Sequence, residues 1–558
     1  MSSQQGQRQV NILFTTDVHG NYFPFPFRHG CKGKGSLQRV HAFVAREVGR
    51  LQGATILVDG GDLLQGGAAA YYLNFIVSQR KGHRVADYCN FIGYDVGVLG
   101  NHDIEMGHEV VARFIRSCHF PILGANVIDE RTGDCALDPY VIIHRGGVRV
   151  AFVGFVTPAI PHWVPKALWE GLRFEDITEC ARRTIAGLRH SEQPDCVVAL
   201  MHSGMDEGII TPQYRENAVR QTVEQVEGID LVLYGHDHCP HIEEVTSPSG
   251  RAILCINPGS EAYNLAKVNV EISADGSVST RGCNCYIGRI GGAHAQAFNR
   301  HFRSDYNTIL AWSKQRVGTI LSPLDVSQAY FGPSAYIDFI QRLQLDISGA
   351  DIAFSAPLFF NAQIAAGDVS MGDLFNIYRF EDRLYTLLLS GQEIKDYLEM
   401  SYAQWTNTMS SPDDHLLLLS PLKNNPSRLG FANFNFNFDA AAGLRYEVDV
   451  TRPPGHKLCI HSLTSGQPFR TDATYRVAMT AYRANGGGEL LTRGASIAKE
   501  DIPGRILCCS LHDMRHYIME YLRQNQSVTP EPLNNWRFIP DEWATAAAAR
   551  DRDILFNH

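Results

Sequence analysis

The sequence predicts an α/β first half followed by an α+β second half. Three observations predict it. Short apolar strands rich in β-branched residues recur from Val10 to Tyr234, amphipathic helical stretches lie between several of them, and the alternation ends near Gly291. A chain of 558 residues is also too long for one hydrophobic core, so two large domains are expected.

The strands come first, because of how they end. Val10–Thr16 runs into Asp17-Val-His19-Gly20. Ala54–Val58 runs into Asp59-Gly-Gly-Asp62. Val96–Leu99 runs into Gly100-Asn101-His102-Asp103. Cys196–Met201 runs into His202-Ser-Gly204. Leu231–Tyr234 runs into Gly235-His236-Asp237-His238. Ser36–Leu51 and Gly107–Cys118 are spaced as helices between them. In layered α/β sheets ligands bind beyond the carboxyl ends of the strands. One such ending is a turn or a helix cap; five of them at strand ends are a pattern.

Asp17, His19, Asp62, Asn101, His202, His236 and His238 make seven oxygen and nitrogen donors without a thiolate. Such a set suits Mn, Zn, Fe or Co. Seven donors exceed the needs of one ion and suit two, one carboxylate bridging. A pair of ions about 3.5–4 Å apart can generate a hydroxide and clamp the oxygens of an in-line displacement, and phosphate-ester hydrolysis uses that clamp. Asp59 reads as a turn residue or a support for the ligands, Asp237 as solvated and Asn257 as a turn residue. His41, His83, His108 and His119 read as surface or satisfied core histidines.

The ordered set Asp17-x-His19, Gly61-Asp62, Gly100-Asn101-His102-Asp103, His202 and Gly235-His236-x-His238 resembles the motifs of the calcineurin-like metallophosphoesterases. The resemblance implies a four-layer α/β/β/α metallophosphatase domain and two divalent ions (Mn, Zn, Fe or Co). It implies Asp17, His19, Asp62 and His238 on one ion, Asp62, Asn101, His202 and His236 on the other, and Asp62 bridging. It also implies His102 as an acid facing the ester oxygens, with Asp103 orienting it and raising its pKa.

Beyond Gly291, Ala293–Val317 has helical spacing. Asp373–Leu398 reads as a strand, a glycine-containing turn and a helix, and Tyr475–Gly488 as a strand entering a glycine-rich loop. Phe380 and Tyr482 stand near strand ends, as core residues or as a clamp for a flat base. This half resembles the smaller α+β substrate-binding domain of the 5′-nucleotidase family, in which two aromatics sandwich the nucleobase. The resemblance places those roles on Phe380 and Tyr482 and implies a hinge near the linking helix. The expected division is 9–290 for the metallophosphoesterase domain, 291–320 for the linking helix, 321–530 for the substrate domain and 531–558 for a tail.

Two departures from the 5′-nucleotidase pattern stand out. Phe354–Asn361 lacks the Gly-Gly-Gly-Ile-Arg segment, and Gly488 replaces the Asp of Gly-Gly-Asp-Gly. Ser355-Ala-Pro, Phe438–Asp449 and Tyr482–Gly488 are instead similar to the 2′,3′-cyclic-nucleotide 2′-phosphodiesterase/3′-nucleotidase branch. That branch is the expected activity. A 5′-nucleotidase or nucleotide-sugar hydrolase is the alternative, and a non-catalytic metal-binding scaffold the remote one.

Composition sets the remaining bounds. A net charge of −9 argues against a duplex nucleic-acid binder, and no apolar run approaches a membrane span. The expected partner is a nucleotide or other small phosphate ester, with no membrane partner; nothing in the sequence marks an oligomeric state. Met1–Arg8 has no apolar core of the signal-peptide kind, and thirteen scattered cysteines suit a reducing compartment. A cytoplasmic location is expected, with export the alternative if a signal was removed.

Overall fold

The computed structural model describes residues 8–25, 27–28, 33, 35–51, 54–77, 82–422 and 425–556. The chain divides into two compact units, which meet in sequence at Ala311 and Trp312.

The first unit holds two six-stranded sheets. One runs Val278–Tyr286, Asn264–Ile272, Arg8–Thr15, Ala54–Asp59, Val96–Val98, Ile122–Leu123. The other runs His241–Thr246, Ala252–Asn257, Leu231–Tyr234, Cys196–His202, Val148–Val156, Tyr140–Arg145. Arg8–Thr15, Ala54–Asp59 and Val96–Val98 are parallel neighbours, as are Val148–Val156, Cys196–His202 and Leu231–Tyr234. Parallel alignment delivers the five strand ends to one rim. Ile12 and Phe14 of the first sheet pack with Phe152, Val198 and Leu233 of the second.

Strands buried on both faces need helices outside. Ile185 and Leu188 of helix Ile177–Ser191, with Val219 and Val223 of Val219–Gln225, cover the outer face of the second sheet. Leu37–Val48 and Arg84–Ile92 are amphipathic, and each starts at a side-chain cap, Ser36 and His83. The architecture is the expected α/β/β/α.

Residues 291–320, expected as one linking helix, form helices Ala293–His301 and Arg303–Ser313 and then strand Arg316–Ile320. Phe298 explains the first helix: it is fully buried against Phe23, Tyr88 and Phe91 of the first unit.

The second unit is built on a five-stranded sheet ordered Ala440–Ala442, Ile352–Ser355, Thr474–Thr480, Arg383–Ser390, Ile506–Asp513. Residues 373–379 are a short helix, Leu374–Ile377, and a loop rather than a strand; Asp373 turns back onto the Ser370 amide at 2.9 Å. The following strand is Arg383–Ser390. Gly391 is then no turn but the first residue of helix Gly391–Trp405, because Ser390 and Glu393 form a capping box. Of residues 531–558, expected as a tail, the described part contributes to the core. Trp536–Ile539 pairs in parallel with Leu444–Asp449, and Trp536 stacks on Tyr446. Buried Asp551 of helix Asp541–Phe556 accepts the Leu417 amide at 2.9 Å. Among the described residues no helix is long and apolar enough to cross a membrane.

Candidate metal centre

The loops at the strand ends of the first unit are strained where the expected ligands sit. Asp17, His19, Asp62, His236 and His238 all have left-handed backbone, with φ of 52°, 46°, 56°, 80° and 58°. Non-glycine residues adopt this region at a cost and persist there where surrounding structure enforces it, often at functional sites. Close glycines allow the loops to meet. A Cβ at Gly100 would lie 2.0 Å from Asp62 Oδ1, and one at Gly235 would lie 2.5 Å from Asp17 Oδ2.

These loops bring all seven donors together. Asp17, His19, Asp62 and His238 offer atoms all within 4.8 Å of one another. His19 Nε2 is 2.9 Å from His238 Nε2, and His238 Nε2 is 3.4 Å from Asp17 Oδ1. Beside them, Asn101 Oδ1 lies 3.1 Å from His202 Nε2 and 2.9 Å from His236 Nδ1. Asp62 Oδ2 faces both groups, 3.6 Å from His19 Nε2 and 3.2 Å from His202 Nε2.

The arrangement makes poor sense for the protein alone. Asp17 Oδ1 and Asp62 Oδ2 are buried without a hydrogen-bond partner, and what faces them are imidazole nitrogens. The rings are also held from behind. His19 Nδ1 pairs with Gln65 Oε1 at 3.1 Å, His202 Nδ1 with the Gly60 carbonyl at 2.7 Å, and His236 Nε2 with Glu216 Oε1 at 3.0 Å. Each of these acceptors takes the ring proton and turns the other nitrogen inward as a lone pair, as metal-binding histidines require. Lone pairs and carboxylate oxygens converging on one space fit divalent cations.

The electrostatics agree. Burial opposes charge on His202, yet Asp62 and Asp17 pull its pKa up to about 10. Burial likewise opposes ionisation of Asp62, yet His202 and His102 hold it well below the usual carboxylate range. Without cations a proton on His202 offsets the carboxylates, whereas burial and His238 push His19 down to about 3.

His102 lies at the edge of the cluster, its ring 5.5 Å from that of His19 and its amide donating to Asp62 Oδ1 at 2.9 Å. Its partner differs from expectation. His102 Nδ1 bonds Glu105 Oε2 at 2.6 Å, not Asp103. Burial disfavours the charged ring, but Asp62 and Glu105 together raise it to about 9. Asp103 accepts instead from the amides of Asp62, Leu63, Leu64 and Gly100 at 2.8–2.9 Å, binding the two ligand loops together. The reason is geometric: successive residues of a helix diverge, whereas i and i+3 share a face.

Asp59 accepts the Gly61 amide at 3.0 Å, a turn role. Asp237, expected as solvated, accepts Asn257 Nδ2 at 2.7 Å and the amides of Met205 and Cys239, so it clamps the turn that carries His236 and His238. Asn257 also accepts the Gly259 amide at 2.7 Å within its own turn. His83 is fully buried and paired with Asn74. Glu216, Gln65 and Trp163, whose ring lies 5.7 Å from His236, belong to no motif in the sequence.

In the second unit, Leu384 pairs with Thr480. Phe380, four residues before Leu384, and Tyr482, two after Thr480, therefore leave the same end of the sheet. Both are half-buried. Arg379 lies over the Phe380 ring at 5.7 Å and Arg483 over the Tyr482 ring at 5.1 Å.

Comparison with known proteins matches this geometry. Residues 10–240 match the calcineurin-like phosphoesterase family, and residues 313–493 match the 5′-nucleotidase C-terminal domain. The chain is 27% identical to the trifunctional nucleotide phosphoesterase protein YfkN of Bacillus subtilis over 96% of its own length, which is 39% of that protein. It is 25% identical to a 2′,3′-cyclic-nucleotide 2′-phosphodiesterase/3′-nucleotidase of Yersinia enterocolitica, covering 100% of this chain and 91% of that one. The fold is similar to that of a putative 5′-nucleotidase from Staphylococcus aureus, with a TM-score of 0.78, 20% identity and coverage of 95% and 99%. The chain is a metal-dependent phosphoesterase built from a calcineurin-like phosphoesterase domain and a 5′-nucleotidase C-terminal domain.

Proposed function

We propose that this phosphoesterase hydrolyses 2′,3′-cyclic nucleotides and then the resulting 3′-nucleotides. The observation that carries its chemistry is the convergence of the seven donors, two of which, Asp17 Oδ1 and Asp62 Oδ2, are buried without a hydrogen-bond partner. Asp17, His19, Asp62 and His238 would hold one divalent ion; Asp62, Asn101, His202 and His236 would hold a second. The ions supply Lewis acidity and an activated water when bound.

The chain's own residues do the rest. Gln65, Gly60 and Glu216 fix the ring orientations, and Asp103 ties the two ligand loops in register. Glu105 holds Nδ1 of His102, leaving a proton at Nε2 for the ester or leaving oxygen. Phe380 and Tyr482 hold the base by stacking, which tolerates base identity.

Similarity to relatives of the cyclic-phosphodiesterase branch supports this substrate class; three of them align over 97–100% of the chain. Gly488 supports it too. A Cβ there would lie 2.3 Å from Asn437 Oδ1 and 2.4 Å from Arg483 Nη1, so the Asp of the 5′-nucleotidase loop cannot enter without moving that network. Similarity to a 5′-nucleotidase of Vibrio cholerae, 23% identical over 80% of the chain, favours 5′-nucleotide or nucleotide-sugar hydrolysis as the second reading.

The test is phosphate and nucleoside release from 2′,3′-cyclic AMP, 3′-AMP, 5′-AMP and a UDP-sugar, with Mn²⁺ and with a chelator. Metal-dependent turnover of the first two alone is expected. Turnover of 5′-AMP or the UDP-sugar alone would replace this reading with the second.

A further inference from the structure

Two cysteines stand together on the first unit, outside the donors already described. Strand Val278–Tyr286 forms the edge of its sheet and pairs residue for residue with Asn264–Ile272. Its even-numbered positions turn inward. A Cβ at Gly282 would meet Leu254, Ile256 and Val268 at 3.1–3.2 Å, and Asn284 Nδ2 donates to the Asn257 carbonyl at 2.8 Å. Successive strand residues alternate faces, so Cys283 and Cys285 share the outer one. Their sulfurs lie 3.8 Å apart, with Cys283 exposed and Cys285 half-buried.

Two geometries compete for such a pair. A disulfide needs its sulfurs about 2.0 Å apart and its Cα atoms within about 6.8 Å. Residues i and i+2 of an extended strand stand about 6.6–6.8 Å apart, at that limit. The ladder also fixes both positions, Cys283 opposite Lys267 and Cys285 opposite Leu265. Closing the sulfur–sulfur bond would bend the strand out of this register. A shared cation requires no such movement. With metal–sulfur bonds of about 2.3 Å and tetrahedral angles, two thiolates on one zinc-type ion stand about 3.8 Å apart. That is the separation of the two sulfurs here.

The electrostatics point the same way. Burial and the neighbouring Cys283 push the Cys285 thiol up to about 11, against the Lys267 ammonium. Two crowded thiols resist ionising together, and a dication held between them removes that resistance. Exposure of Cys283 leaves the remaining positions of the tetrahedron open to water or a small thiol.

We propose that Cys283 and Cys285 form a separate metal site, a dithiolate that takes up a thiophilic d¹⁰ dication of the Zn²⁺ and Cd²⁺ kind. Binding forms two metal–sulfur bonds and releases the two thiol protons to water. Mn²⁺ prefers oxygen donors and stays with the carboxylate and imidazole centre.

The experiment titrates full-length protein, in excess Mn²⁺ and kept reduced with a phosphine, with Cd²⁺. It reads the ultraviolet thiolate-to-cadmium charge-transfer band, to which oxygen and nitrogen donors do not contribute. The wild type is expected to reach the full band at one Cd²⁺ per chain, and excess Zn²⁺ to diminish it. Cys283→Ser and Cys285→Ser each lose the band at that ratio, with wild-type melting temperatures showing that the fold is kept. Cys508→Ser, at an exposed cysteine of the second unit, keeps it. No band in the wild type at one Cd²⁺ per chain, or a band that survives both Cys283→Ser and Cys285→Ser, would overturn the site. Oxidised glutathione that removes two thiols and the band from the wild type, but no thiol from Cys283→Ser, would assign the pair to disulfide chemistry and overturn it as well.

Discussion

A cluster of buried charge in the first unit and one in the second differ in whether they are finished. Around Arg483 and Asp439 each donor of the cation has an acceptor. Around Asp17 and Asp62, two buried carboxylate oxygens have no donor, and histidine nitrogens turn toward them instead. A finished cluster needs nothing more and acts as a scaffold. An unfinished one, held in place by strained backbone and a ring of supporting hydrogen bonds, is built for something that arrives later. Burial and charge alone do not separate a site from a scaffold; the hydrogen-bond account does.

The largest effect that would break this contrast is on activity. Asp62→Asn removes the shared carboxylate and is expected to lower metal-dependent phosphate release about 10³-fold or more. It also abolishes the rise in melting temperature that saturating Mn²⁺ gives the wild type, about 2.7 kcal/mol of stability at a hundredfold excess over Kd. The two readouts together separate a lost ion site from a lost fold.

In the finished cluster the cost falls on stability. Asp439→Asn leaves the buried Arg483 uncompensated and is expected to destabilise the second unit by about 3–5 kcal/mol, read from chemical denaturation. A loss below 1 kcal/mol would mean that the guanidinium is not desolvated.

The neighbours Asp103 and Glu105 sharpen the contrast within one helical turn. Glu105→Gln is expected to lower kcat about 10- to 100-fold with little change in melting temperature, because it acts through His102. Asp103→Asn is expected to lower the melting temperature, because a carboxylate that accepts four backbone amides becomes an amide. The reverse pattern would restore Asp103 as the partner of His102.

Asp338 gives the smallest effect, as a half-finished case. Oδ2 accepts the Leu533 amide at 2.6 Å, Oδ1 has no partner, and burial pushes the pKa up to about 6. The folded value lies above the unfolded one of 3.8, so the folded chain holds the extra proton between them. Its stabilising contribution is present below pH 4 and is lost as the pH rises through 6. Asp338→Asn is expected to raise stability by on the order of 2 kcal/mol at pH 8 and to change little at pH 4. An equal effect at both pH values would contradict this titration.

The layered first unit and its ligands were legible because each is written locally. A buried parallel strand reads as an apolar run, and each of the five runs ends in its own donors. Five strand ends on one rim then made a cluster. The supports were not legible in that way. Glu216 and Gln65 reach His236 and His19 across the fold, and no local spacing announces them. Glu105 could have been read from its i+3 spacing to His102, but the adjacent Asp103 drew the assignment. The part played by Trp536–Ile539 depends on pairing with Leu444–Asp449, a contact between distant stretches that no periodicity carries. Arg483 is the same lesson in the second unit: it sits beside Tyr482 in sequence, yet its role comes from Asn437 and Asp439.

The most direct test of the central claim is metal stoichiometry, by equilibrium dialysis of metal-free protein against Mn²⁺ followed by elemental analysis. The wild type is predicted to bind two ions per chain, Asn101→Ala one, and Asp62→Asn neither. One ion or none in the wild type, or two in Asp62→Asn, would contradict the account.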